Sequence, residues 1–171
     1  MRDYPTNWPQ FYTAGILNKK FLLHEDKYKD IIISSLKYLV TNNKIKLYAF
    51  VIMSNHIHLI WQVLPDNNYE KVRHGFMKFT AQQIKFELIK SDQNFLMKFK
   101  VEQIDREFQF WKKNALSIEL YTEKFFMQKL EYIHENPVKA GMCQYAEDYK
   151  YSSASFHNGG IDYFEILSSL A

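Results

Sequence analysis

Apolar positions change their period several times along the chain, and each change predicts an element. Residues 10–17, QFYTAGIL, read as a strand, and over residues 25–40 Tyr28, Ile32, Leu36 and Leu39 recur at helical spacing. The β-branched and aromatic runs KIKLYAFVIM (44–53) and HIHLIWQVL (56–64) predict two antiparallel strands joined tightly through Ser54-Asn55. A long helix follows from Tyr69 to about Lys90, with Val72, Phe76 and Phe79 inward. Residues 91–107 are polar and break the regularity, and EFQFW (107–111) supplies the candidate fourth strand. A last helix starts near Thr122 and is expected to end at Asn136, because Pro137 disfavours helical geometry in the residue before it. NPVKAG then turns the chain, and YAEDYKYSSASFHNGG reads as loop.

The order β-α-β-β-α-β with an added helix predicts an α+β fold, ferredoxin-like or RNA-recognition-like. Two helices cover one face of an antiparallel sheet, and an extra C-terminal helix is added. With 171 residues, 47% apolar and 17% aromatic, the chain can bury one proper core. A single domain over 1–171 is expected, its core about 10–142 and its tail 143–171.

Charge changes this picture little: 22 basic against 19 acidic residues give +3, which permits a polyanionic partner without demanding one. The single cysteine, Cys143, excludes a disulfide framework and a cysteine-rich zinc module, so the cytoplasm is the expected compartment. The first twenty residues lack the apolar run of a signal peptide, and no stretch is long enough to span a membrane.

Candidate chemistry begins at SNHIHLI (54–60). Side chains alternate along a strand, so His56 and His58 share a face while Ile57 and Leu59 take the other. Two neutral imidazoles roughly 7 Å apart at the backbone can turn onto one divalent ion. The same pattern also suits two hydrogen-bonded histidines with no ion. A zinc hydrolase would need a third strong ligand, and His24, His74 and His157 stand in no recognisable spacing to the pair.

In KLEYIHENPVKAG (129–141), Tyr132 and Asn136 lie one helical turn apart, beside an apolar stripe of Phe126, Leu130 and Ile133 that would dock on the sheet. Taken singly, Tyr132 also suits a core-edge tyrosine and Asn136 a helix end. His134 falls roughly 200° around the helix from Tyr132, a position expected to face solvent.

The run AFVIMSNHIHLIW, followed by FQFW, YIHENPVKAGM and YKYSS in that order, resembles the REP-associated tyrosine transposases, relatives of the single-tyrosine HUH transposases of insertion sequences. The resemblance covers most of the chain, with Ile57 as the bulky residue between the histidines. It implies that His56 and His58 hold a divalent ion, magnesium or manganese, and that Tyr132 is the nucleophile. Insertion-sequence relatives carry a glutamine four residues after the tyrosine as a further ligand, and here Asn136, one methylene shorter, stands in that place. Tyr121, about three turns earlier, is the alternative nucleophile.

The implied activity is metal-dependent cleavage and strand transfer on single-stranded DNA beside a hairpin, through a covalent 5′-phosphotyrosine. An unpaired strand suits it physically, since it can be bent into line with ion and phenol more easily than a duplex. A nucleoid-associated protein follows, with a homodimer left open. The alternative is a catalytically silent protein of the same fold that binds DNA or RNA hairpins. Candidate DNA contacts are Lys71, Arg73, Lys78, Lys112, Lys113 and Lys139, with Trp8, Tyr12 and Tyr151 as candidate stacking aromatics.

Overall fold

The computed structural model describes residues 7–170. The first six residues, part of the stretch read above as lacking a signal peptide, and residue 171 lie outside it. Four strands, β1 (Gln10–Gly15), β2 (Ile45–Ile52), β3 (His56–Val63) and β4 (Leu116–Glu119), form one sheet in the order β2-β3-β1-β4, every neighbouring pair antiparallel. The helices are α1 (Asp26–Thr41), α2 (Tyr69–Ser91), the short α3 (Gln93–Met97), α4 (Glu123–Lys139) and the single turn α5 (Ala154–His157). This is the ferredoxin-like α+β arrangement expected from the sequence.

Strand alternation assigns the two faces. On β3, Ile57, Leu59, Trp61 and Val63 enter one core with Tyr28, Ile32 and Leu36 of α1 and Val72, Phe76, Ile84 and Leu88 of α2. Ile60 enters a second core with Phe11, Tyr48, Val51 and the α4 residues Phe126, Leu130 and Ile133. Each such buried side chain contributes about 1.5–3 kcal/mol, so three of them fix α4 against the sheet. A bulge between Leu47 and Ala49 turns both Tyr48 and Ala49 towards α4, where Tyr48 packs edge-on to Phe126 and donates to Gln62 Oε1 at 2.7 Å.

The fourth strand differs from the expectation. Residues 107–111 form no strand: Phe108 and Trp111 make isolated bridges to Lys100 and Ile16, while Phe110 and Trp111 are buried in the first core. Their aromatic content serves packing, and the sheet edge falls to the short, largely exposed LSIE of β4. Phe79 is also not inward, being 46% exposed. The buried stripe of α2 follows four-residue spacing through Val72, Phe76, Thr80, Ile84 and Leu88. Thr80 is accommodated because its hydroxyl donates to Phe76 O at 2.9 Å and accepts from Trp111 Nε1 at 3.0 Å.

Helix α4 starts where expected, with the Thr122 hydroxyl accepting from Phe125 N. It does not stop at Asn136. Pro137 lies inside the helix, buried, and the last turn runs on to Lys139. The end is a Schellman motif: Met142 N donates to Pro137 O at 2.9 Å, Gly141 N to Val138 O at 3.0 Å, and Gly141 takes a φ of 73°.

The segment expected as loop returns to the sheet. Ile52 N donates to Tyr151 O, Ser153 N to Phe50 O and Ser168 N to Leu47 O, so the tail covers the outer edge of β2. Among the described residues no helix is long and apolar enough to cross a membrane.

Candidate active site

Central strand β3 carries both histidines on the face that α4 covers. His58 sits opposite Thr13 of β1 and Val51 of β2. It is 4% exposed, its ring stacks on Phe11 at 5.5 Å, and its Nδ1 shares a 2.7 Å hydrogen bond with Thr13 Oγ1. Burial, with His56 and Lys129 nearby, pushes its pKa down to about 3, so it is a neutral imidazole near pH 7. His56, at the start of β3, has its Nδ1 2.7 Å from Asn55 Oδ1, and burial lowers its pKa too. The two rings lie 4.9 Å apart. With each Nδ1 engaged, each Nε2 is left for another partner.

Docking of α4 through Phe126, Leu130 and Ile133 brings the neighbouring stripe of that helix over the histidines. Tyr132, 45% exposed, packs edge-on to His58 at 5.3 Å between ring centroids and to Phe11 at 6.0 Å. One turn later Asn136 places its Oδ1 3.3 Å from His56 Nε2. The shorter asparagine side chain therefore comes within direct reach of His56.

These atoms suit a small divalent ion. Donors bound at right angles at about 2.1 Å stand roughly 3 Å apart, close to the His56–Asn136 separation. Two neutral nitrogens and an amide oxygen leave the ion's charge undiminished. No group of three histidine, cysteine or acidic residues capable of holding a metal occurs among the described residues, which sets this donor set apart from a closed zinc site.

The remaining sequence candidates fall in different places. Tyr121 precedes α4, stands edge-on to Trp8 at 4.7 Å, and has its pKa raised by a hydrogen bond with Glu119, so it is Tyr132 that borders the imidazoles. Lys71, Arg73 and Lys78 belong to α2, on the opposite side of the sheet, and Arg73 is paired with Glu70 at 2.6 Å. Lys112 and Lys113 are exposed on a turn whose Lys112 N–H donates to Gly15 O at 2.7 Å. Gly15 is the register partner of His56, so this turn stands at the histidine end of the sheet. Lys139 is exposed in the last turn of α4. Trp8 is 39% exposed, whereas Tyr12 at 0% and Tyr151 at 3% are core residues closed to stacking.

His134 does not face solvent. Its Nε2 meets Ser153 Oγ at 2.9 Å, its ring lies 5.2 Å from that of His157, and burial lowers its pKa to about 4. The returning tail covers it, which helical periodicity alone could not anticipate. Two residues of the site escaped the sequence reading. Thr13 orients His58 from the neighbouring strand, and Lys129 places its Nζ 5.6 Å from the Tyr132 ring centroid. The available signals were the β1–β3 pairing for Thr13 and the three-residue spacing to Tyr132 for Lys129.

The ferredoxin-like fold that brings these side chains together is shared with two solved structures. The solved structure of a REP-associated tyrosine transposase bound to a REP hairpin matches all of this chain and 92% of its own, with a TM-score of 0.64 at 15% identity. A crystallised candidate transposase of Deinococcus radiodurans matches 78% of this chain and 93% of its own, with a TM-score of 0.52 at 16% identity. The family resemblance read from the motifs is upheld in sequence as well. A Haemophilus influenzae protein described as a candidate REP-associated tyrosine transposase is 27% identical over 158 residues, 91% of this chain and 84% of that one. No family model matches the chain.

Proposed function

We propose that this protein is a divalent-metal-dependent single-stranded DNA endonuclease and strand transferase acting beside hairpins, with Tyr132 as nucleophile. The observation that carries the reading is the convergence of Tyr132 and Asn136 of α4 on His56 and His58 of β3, two elements that meet only through the fold. The relatives supply the substrate class, since the structural neighbour is held on a REP hairpin.

His56, His58 and Asn136 would hold the ion, which when bound neutralises charge on the oxygens of the scissile phosphate. Thr13 and Asn55 fix the ring orientations of the two histidines through their Nδ1 atoms, leaving each Nε2 turned to the site. The exposed edge of Tyr132 admits a flexible strand, and its packing against His58 and Phe11 restrains the phenol. The Tyr132 hydroxyl gives up its proton and its oxygen bonds to phosphorus. The bond from phosphorus to the 3′ oxygen breaks, and that oxygen takes up a proton to leave as a 3′ hydroxyl. The 5′-phosphotyrosine retains the energy of the broken bond, so a second 3′ hydroxyl can reverse the step and join strands.

The test is incubation with labelled hairpin-bearing single-stranded DNA and manganese or magnesium, followed by denaturing electrophoresis. A protein-linked label that is lost with chelator and with Tyr132→Phe is expected. Hairpin binding with no adduct under any divalent ion would instead establish a silent hairpin-binding protein.

A further inference from the structure

We propose that Lys129 is a catalytic residue whose ammonium binds the non-bridging oxygen of the scissile phosphate that faces away from His56, His58 and Asn136. The inference rests on the transesterification reading above and adds a protein-borne cation to it.

The placement of Lys129 is unusual for a surface lysine. Its Nζ lies 4.9 Å from the Phe11 ring centroid and 5.6 Å from those of Phe125 and Tyr132. Among the described residues no carboxylate stands within ion-pairing distance of it. Aromatic faces attract a cation through their quadrupole without cancelling its charge, whereas a carboxylate would neutralise it. The half-buried stem is thus held in place while the ammonium keeps its donors for an incoming anion. Elsewhere in the chain Lys150 lies over three rings as well, but those are Tyr151, Tyr163 and Phe164 of the tail, away from the imidazoles.

Helical spacing gives the cation its role. Phe125, Lys129, Tyr132 and Asn136 follow at intervals of four, three and four residues and therefore share one stripe of α4. Tyr132 stands between an ammonium one turn before it and the Asn136 oxygen one turn after. A phosphate in line with the phenol exposes two non-bridging oxygens. One turns to the histidine and asparagine side, and the other is left towards Lys129. Charge that accumulates on this second oxygen during attack then meets a donor fixed beforehand, which lowers the barrier without reorganisation.

The experiment measures adduct formation at saturating DNA for wild type, Lys129→Met and Lys129→Arg. Substrates carry either the natural phosphodiester or one of the two separated methylphosphonate diastereomers at the cleavage site, each lacking one charged oxygen. Methionine preserves the apolar stem over Phe11 and Phe125, and the melting temperature of each variant reports folding. On natural DNA, Lys129→Met is expected to slow the step by about 10²–10³-fold, with most of the loss recovered by Lys129→Arg. On one diastereomer wild type and Lys129→Met should react at equal rates, and on the other the deficit should persist. Equal rates on natural DNA, or the same deficit on both diastereomers, overturn the role of Lys129 while leaving the phosphotyrosine reading standing. Wild type that forms no adduct at all overturns that reading, and this inference with it.

Discussion

Tyr132 and His58 face each other across the junction of α4 and β3, ring centroids 5.3 Å apart and planes at 73°. The contact is made by the ring, so under the proposed function the hydroxyl is left for chemistry and takes no part in this packing. Tyr132→Phe is therefore expected to shift stability by less than about 0.5 kcal/mol in chemical denaturation while abolishing the covalent DNA adduct. A large loss of stability would mean that the phenol has a structural task instead.

Thr13 stands on the adjacent strand, and its hydroxyl engages the Nδ1 of His58 at 2.7 Å. Thr13→Val keeps the shape and removes the hydrogen bond. Manganese affinity, followed by paramagnetic broadening of the His56 and His58 ring resonances, is expected to weaken about 10–100-fold, with no comparable change in hairpin binding. Unchanged broadening would show that stacking on Phe11 alone orients the ring.

Stability without added metal is expected to fall on acidification. His58 and His134 titrate at about 3 and about 4 in the folded protein, below the ordinary histidine value near 6.5. Between those limits the unfolded chain holds protons that the folded chain refuses, so the stability present above pH 6.5 is lost progressively as pH falls towards 4 and below. Each histidine accounts for at most about 1.4 kcal/mol per pH unit in that window. Urea unfolding at several pH values measures the slope, and His134→Gln should reduce it; a slope unaltered by that substitution would remove His134 as a contributor.

The end of α4 depends on one backbone conformation. Gly141 has a φ of 73° and open space where a Cβ would project, so Gly141→Ala meets no clash and reports backbone strain alone. A loss of about 1 kcal/mol is expected, and a smaller one for Gly141→Asn, which tolerates this conformation better. Equal stability of the alanine variant would indicate that the last turn unwinds without penalty.

Strands β1 to β3, α1, α2 and the docking stripe of α4 were legible because each is written in local periodicity. Thus Tyr28, Ile32 and Leu36 at helical spacing, and the alternation of Ile57 and Leu59 with the histidines, already assign their faces. The fourth strand was misplaced because EFQFW has the composition of a strand, while the real edge strand, LSIE, is short and mostly exposed and leaves little pattern. Asn136 was expected at the helix end because the residue before proline is locally restricted. The buried packing of Pro137 and the Schellman turn at Gly141 carry the helix past that restriction. His56 and His58 share a face by strand alternation and Tyr132 and Asn136 by helical spacing, but their candidate roles came from the family resemblance, while Thr13 and Lys129 acquire meaning only from a strand pairing and a ring cluster.

The tail that seals β2 has a consequence for how the protein is made. Phe50 and Ser153 are 103 residues apart along the chain, yet Ser153 Oγ accepts from Phe50 N. At translation rates of about 5–20 residues per second, a nascent chain would hold an uncapped strand for roughly 5–20 s before its cover emerged. Until then that edge presents unpaired backbone groups open to strand pairing with another chain, so the late-made tail also serves to close the sheet against self-association.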